Sequence, residues 1–168
     1  MTVFDLRSIR VRSGEEHREG VEVAIAPIEL GGERYVAVPD QVPAELSVAR
    51  ASTGLVLGLR LSVRLHGPCM RCLTDAVVEE ELELREYQAT SPDSDELMTP
   101  YLADDRLDLS AWARDALILA LPDKILCRPD CAGLCPVCGH DLNAEPHTHD
   151  EKEGDPRWAA LERLKEKL

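Results

Sequence analysis

The chain has 168 residues, enough for one domain with a small annex; 44% of them are hydrophobic and only 4% aromatic, so the core must be aliphatic. Its 32 acids against 19 bases give a net charge of −13, which argues against a broad face that grips a nucleic-acid backbone, because such binding is driven by Lys and Arg displacing counterions. No segment has the apolar length to span a bilayer, and Asp5 and Arg7 place charges where a secretory leader needs its apolar stretch, so the expected location is the reducing cytoplasm.

Residues 21 to 38 are expected to form a hairpin. Val21, Val23 and Ile25 alternate with smaller or polar residues, and Gly31-Gly32 supplies a turn before Tyr35 to Val38. Pro39 and Pro43 frame a short connection, and Ala44 to Thr53 reads as a strand with Leu46 and Val48 on one face. From Leu55 to Leu65 the odd positions are Leu or Val, while Gly58, Arg60, Ser62 and Arg64 take the other side; only period-two geometry explains this. The chain turns through Cys69-Met70-Arg71-Cys72 and returns from Ala76 to Tyr87, with Val78, Leu82 and Leu84 facing the core.

Residues 79 to 108 hold eleven acids and two bases, a local balance of −9, and Thr90 to Asp105 is expected to be a mobile acidic loop. A helix follows over Leu109 to Leu121 with Asp108 as N-cap, a stripe of Leu109, Trp112, Ala113, Ala116 and Leu117, and Pro122 as its stop. A last helix opens at Asp155-Pro156 and carries Trp158, Leu161, Leu164 and Leu168. The expected fold is therefore α+β: an antiparallel, partly barrel-like sheet with a packed helix over residues 1–122, joined as one structural unit to a cysteine-rich zinc-knuckle segment and terminal helix over 123–168.

Six cysteines in a reducing compartment point to metal and not to disulfides. Zinc takes four ligands in a tetrahedron, and a Cys-x-x-Cys turn presents two sulfurs from one tight loop. Cys69 with Cys72 and Cys135 with Cys138 have this spacing, Cys127 with Cys131 is a looser pair, and His147-Thr148-His149 adds two imidazoles. These eight candidates suffice for two structural Zn2+ ions. The favoured partition is Cys69, Cys72, Cys127 and Cys131 for one, and Cys135, Cys138, His147 and His149 for the other; spacing leaves an exchange of pairs open. A thioredoxin-like redox role would want the pair at a helix start in a βαβ setting, which the pattern lacks. His17 and His66 are read as surface or turn residues. No carboxylates gather as a catalytic pair, and sites with a full thiolate-rich ligand set are closed, so no enzymatic activity is expected.

The stretch Cys131-Ala132-Gly133-Leu134-Cys135-Pro136-Val137-Cys138-Gly139-His140-Asp141-Leu142-Asn143, taken with Cys69-Met70-Arg71-Cys72-Leu73 and Asp155-Pro156-Arg157-Trp158, closely resembles the YceD family of large ribosomal RNA subunit accumulation proteins. The resemblance implies a non-enzymatic role in accumulation or processing of large-subunit ribosomal RNA and in ribosome assembly. Many zinc-type members carry Cys-x-Cys where this chain has His147-Thr148-His149, a swap that zinc accepts. The expected partner is a basic ribosome-assembly or rRNA-processing protein, with weak or indirect rRNA contact, no membrane and no small-molecule substrate. The alternative is a direct RNA-binding zinc protein, for which Arg60, Arg64 and Arg71 form the one small basic cluster.

Overall fold

The computed structural model describes residues 1–90 and 97–149. The expected terminal helix from Asp155 to Leu168 lies outside these residues. The chain divides into two compact units, Met1–Cys131 and Ala132–Leu168.

In the first unit the strands are β1 (Val3–Asp5), β2 (Glu16–Ala24), β3 (Ile28–Leu30), β4 (Glu33–Ala37), β5 (Gln41–Arg50), β6 (Gly54–Pro68), β7 (Asp75–Ala89), β8 (Leu102–Ala103) and β9 (Arg106–Asp108), followed by helix α1 (Leu109–Ala120). Every ladder is antiparallel, as the alternating patterns require. The main sheet runs β2-β5-β6-β4-β3, with β7 along the other side of β6; β1, β9 and β8 form a second, small sheet.

The inward faces follow the sequence. Val42, Ala44, Leu46 and Val48 on β5 and Leu57, Leu59, Leu61, Val63 and Leu65 on β6 are buried, whereas Arg60, Ser62 and Arg64 are exposed. Asp108 caps α1 by accepting from the Ala111 N–H at 3.0 Å, and Leu109, Trp112, Ala113 and Leu117 are buried.

The sheet is an open surface and not a barrel: β2 and β7 are the outer strands of the row β2-β5-β6-β7 and do not pair with each other. Helix α1 packs against both strands. Three further expectations change. The hairpin around Gly31-Gly32 is confined to β3 and β4, with φ of 63° and 86° at the two glycines; Val21 and Val23 instead belong to β2, which pairs with β5. Pro27 separates the two elements, and a segment with its own proline break is free to take a more distant partner. Pro43 lies inside β5, opposite Glu22, and does not frame a connection. Part of the expected acidic loop is also ordered, into β8 and the Asp104-Asp105 turn, at φ of 50° and 61°, that joins it to β9. Among the described residues no helix is long and apolar enough to cross a membrane.

In the second unit the described residues fold as a small knuckle. Leu134 bridges to Asp141, and Asn143 ties the loop back by accepting from the Ala132 N–H at 2.7 Å.

Candidate metal centres

The hairpin of β6 and β7 closes at Pro68 opposite Asp75, so the loop 69–74 is its tip. The Cys69 N–H donates to the Thr74 carbonyl at 2.7 Å, and the Leu73 N–H to the Cys69 carbonyl at 2.9 Å. This compact turn aims both sulfurs the same way. The segment after α1 reaches the tip through the Met70 N–H, which donates to the Ile125 carbonyl at 2.9 Å, bringing up Cys127 and Cys131. The guanidinium of Arg71 then donates to the Cys131 carbonyl at 2.7 Å and holds that backbone in place.

All four sulfurs lie within 4.8 Å of one another. Cys69 and Cys131 Sγ are 3.8 Å apart, and Cys72 and Cys127 Sγ 3.6 Å. A disulfide would need about 2.05 Å. A zinc tetrahedron with bonds of about 2.3 Å has sulfur–sulfur edges of about 3.8 Å, so the donor set fits that ion.

The second group repeats the turn. The Cys135 N–H donates to the His140 carbonyl and the Gly139 N–H to the Cys135 carbonyl, both at 2.8 Å. Cys135, Cys138, His147 and His149 present their donor atoms within 4.8 Å of one another. Cys138 Sγ stands 3.1 Å from His147 Nε2 and 3.3 Å from His149 Nε2. The Glu145 carbonyl, 2.7 Å from His147 Nδ1, can only accept, so the proton of the neutral ring is on Nδ1 and the Nε2 lone pair faces the sulfurs. Both tetrads thus assemble with the membership expected from the sequence. Each falls within one unit.

Their electrostatics suit a cation. The Cys69 thiol is drawn down to about 6: burial opposes ionisation, but the backbone N–H groups of Arg71, Cys127 and Cys72 outweigh it. Cys72 is lowered first by the Thr74 hydroxyl, 3.0 Å from its sulfur. Cys127 is pushed up to about 11, by desolvation and then by the sulfurs of Cys72, Cys131 and Cys69, although the Thr74 hydroxyl opposes this. Four sulfurs in one sphere cannot all ionise unless a cation lies between them. In the second group Cys135 is lowered to about 6, chiefly by the Cys138 N–H, and His147 is raised, first by the Glu145 carbonyl.

Thr74 and Glu145 were not legible as site residues. One acts through a hydroxyl and the other through a main-chain carbonyl, and neither leaves a spacing signal. The larger cavity of about 590 Å³ between the start of α1 and the β2–β5 region offers neither thiol nor imidazole, and Asp108 on its wall is already committed to the helix cap.

An antiparallel sheet whose hairpin tip carries a four-cysteine cluster, followed by a Cys2His2 knuckle, defines a protein with two candidate metal centres. The family model described as large ribosomal RNA subunit accumulation protein YceD matches residues 57–165, a span that includes all eight candidate ligands, and the chain belongs to this family. It is similar to uncharacterized proteins of Mycobacterium bovis and Mycobacterium tuberculosis, each 36% identical over 123 residues, covering 70% of this chain and 58% of the relative. A Mycobacterium leprae protein is 32% identical over 70% of this chain and 56% of its own length. The chain therefore spans little more than half the length of the curated relatives it matches. No solved structure matches.

Proposed function

We propose that the protein is a non-enzymatic, zinc-binding factor that supports accumulation and processing of large-subunit ribosomal RNA by binding a basic protein of ribosome assembly in the cytoplasm. The observation that carries this reading is the family match, which spans both tetrads. Four protein donors per group favour closed, structural ions over a site with an open coordination position, and so favour a scaffold over a catalyst.

The direct RNA-binding alternative loses support from the basic cluster on which it relied. Arg60 is paired with Glu83 at 2.6 Å, Arg64 with Glu79, and Arg71 with the Cys131 carbonyl. Depleting the protein from growing cells should lower large-subunit relative to small-subunit rRNA. Wild type should rescue this, and Cys69→Ser should not. An unchanged rRNA ratio on depletion would refute the proposal.

A further inference from the structure

Strand β7 runs for 15 residues and, among the described residues, pairs only with β6. Which of its backbone groups are free follows from two bonds that bracket the ladder. The Thr90 N–H donates to the Thr53 carbonyl and the Cys69 N–H to the Thr74 carbonyl, in the same register as every pair from Gly54–Ala89 to Pro68–Asp75. Alternate residues of an antiparallel pair exchange both bonds, so the even-numbered residues of β7 face β6. The odd-numbered residues therefore direct their N–H and C=O groups to the other edge, and among the described residues no backbone pairs with them. Beyond Arg85 that edge nears the 98–99 segment, where the Thr99 N–H donates to Gln88. From Asp75 to Arg85 the odd residues are all exposed, an open edge of about 33 Å.

We infer that this edge, from Asp75 to Arg85, takes up an extended basic segment of a partner protein as an added strand. The inference rests on the proposed basic protein partner and specifies how it is held. The same odd residues put their side chains on the outer face: Val77, Glu79, Glu81, Glu83 and Arg85. An incoming antiparallel strand places its bonded residues directly opposite these, so three alternating Lys or Arg would meet the three glutamates. Glu79 and Glu83 already face Arg64 and Arg60 across β6, yet each carboxylate has lone pairs for a second cation. A second copy of the chain is disfavoured in the register centred on Glu81, which sets Glu79 against Glu83 and Glu81 against itself. The charges that oppose this self-pairing thus select a basic strand.

The test uses the full-length protein and an eleven-residue peptide of alternating lysine and threonine. Binding is expected to protect the amides of Val77, Glu79, Glu81 and Glu83 from hydrogen exchange. N-methylating the lysine amides, which would face β7, should weaken binding at least about tenfold, whereas N-methylating the threonine amides should not, with charge identical in both. On the protein, Glu81→Pro removes an edge donor without touching the β6 ladder and should weaken binding well beyond Glu81→Gln. Equal affinities of the two methylated peptides, protection on β2 instead, or a single-stranded RNA that protects the same amides and displaces the peptide would overturn the inference. Capture from cells separates the two levels. A basic assembly protein retained equally by wild type and Glu81→Pro overturns the edge and leaves the partner reading standing, while an unchanged rRNA ratio on depletion, with peptide binding intact, overturns the proposed function alone.

Discussion

Leu73 occupies in the first knuckle the position that Gly139 occupies in the second. Each is four residues after the leading cysteine, donates its N–H to that cysteine's carbonyl, and has a positive φ, 62° and 77° respectively. A leucine there carries a steric cost of about 1–2 kcal/mol that glycine avoids, and its side chain is 58% exposed, so little packing offsets it. Leu73→Gly is therefore expected to raise stability by about 0.5–1 kcal/mol after the added unfolded-state entropy of glycine, read from chemical unfolding with the metal retained. A loss of stability would mean that the exposed side chain contributes packing. The second knuckle gives a pH prediction. His147 lies above its ordinary 6.5 and Cys135 near 6, while only the neutral ring and the thiolate bind a cation. As pH falls, protons therefore compete for both groups, and affinity should drop as His147 takes up its proton. The fall should approach about one power of ten per imidazole per pH unit. Competition with a chromophoric chelator in a Cys69→Ser variant measures this; a flat profile through the imidazole range would remove His147 and His149 from the ligand set.

On β6 and β7 the sequence pattern and the structure agree because both obey the two-residue period: the buried leucines at 57, 59, 61 and 65 could not share a face in a helix. Pairing between distant strands carries no such local signal. The assignment of Val21 to a hairpin missed β5 as its partner, and Asp104-Asp105 reads as acidic loop although it is the turn of the β8–β9 pair. The rungs of the β6–β7 ladder also rest on register. Arg60 meets Glu83 at 2.6 Å, and this pair holds the Glu83 carboxyl below its ordinary 4.5. A depressed carboxylate contributes stability that is present above its unfolded pKa and lost as pH falls through the folded value. Both groups are exposed, so the effect is small and salt-sensitive. Glu83→Gln is expected to unfold slightly more easily than wild type at neutral pH and identically once the medium is acid enough to protonate Glu83. Unfolding midpoints of the two proteins against pH, at low and high salt, check it, and a gap that persists into acid would point to packing instead.

Across the whole molecule the eight candidate ligands were legible as residues, while their division between two groups was not fixed by spacing, because Cys127 and Cys131 are brought to Cys69 and Cys72 by the backbone bond from Met70 to Ile125. The two units differ in what else holds them together. Met1–Cys131 buries Tyr35, Leu46, Leu57, Leu59, Leu65, Leu107 and Leu117 almost completely, an aliphatic core independent of any ion. Among the described residues of the second unit only Gly133 and Cys135 are buried, too little apolar surface to offset the entropy of ordering the chain. Residues 132–149 are therefore expected to depend on a bound ion, and structural zinc supplies about 10–16 kcal/mol in small finger peptides. Purified protein is expected to carry two zinc ions per chain, and a strong chelator should then act unequally. Amides of residues 132–149, including the Leu134–Asp141 bridge, should lose protection from hydrogen exchange. Those of β5 and β6 should keep it, with a lowered unfolding temperature as the hairpin tip loosens. Cys135→Ser should reproduce the first effect without the second, and Cys69→Ser the second without the first. Protection that survives chelation across 132–149, or one cooperative loss over the entire chain, would show that the ions do not divide the stability in this way.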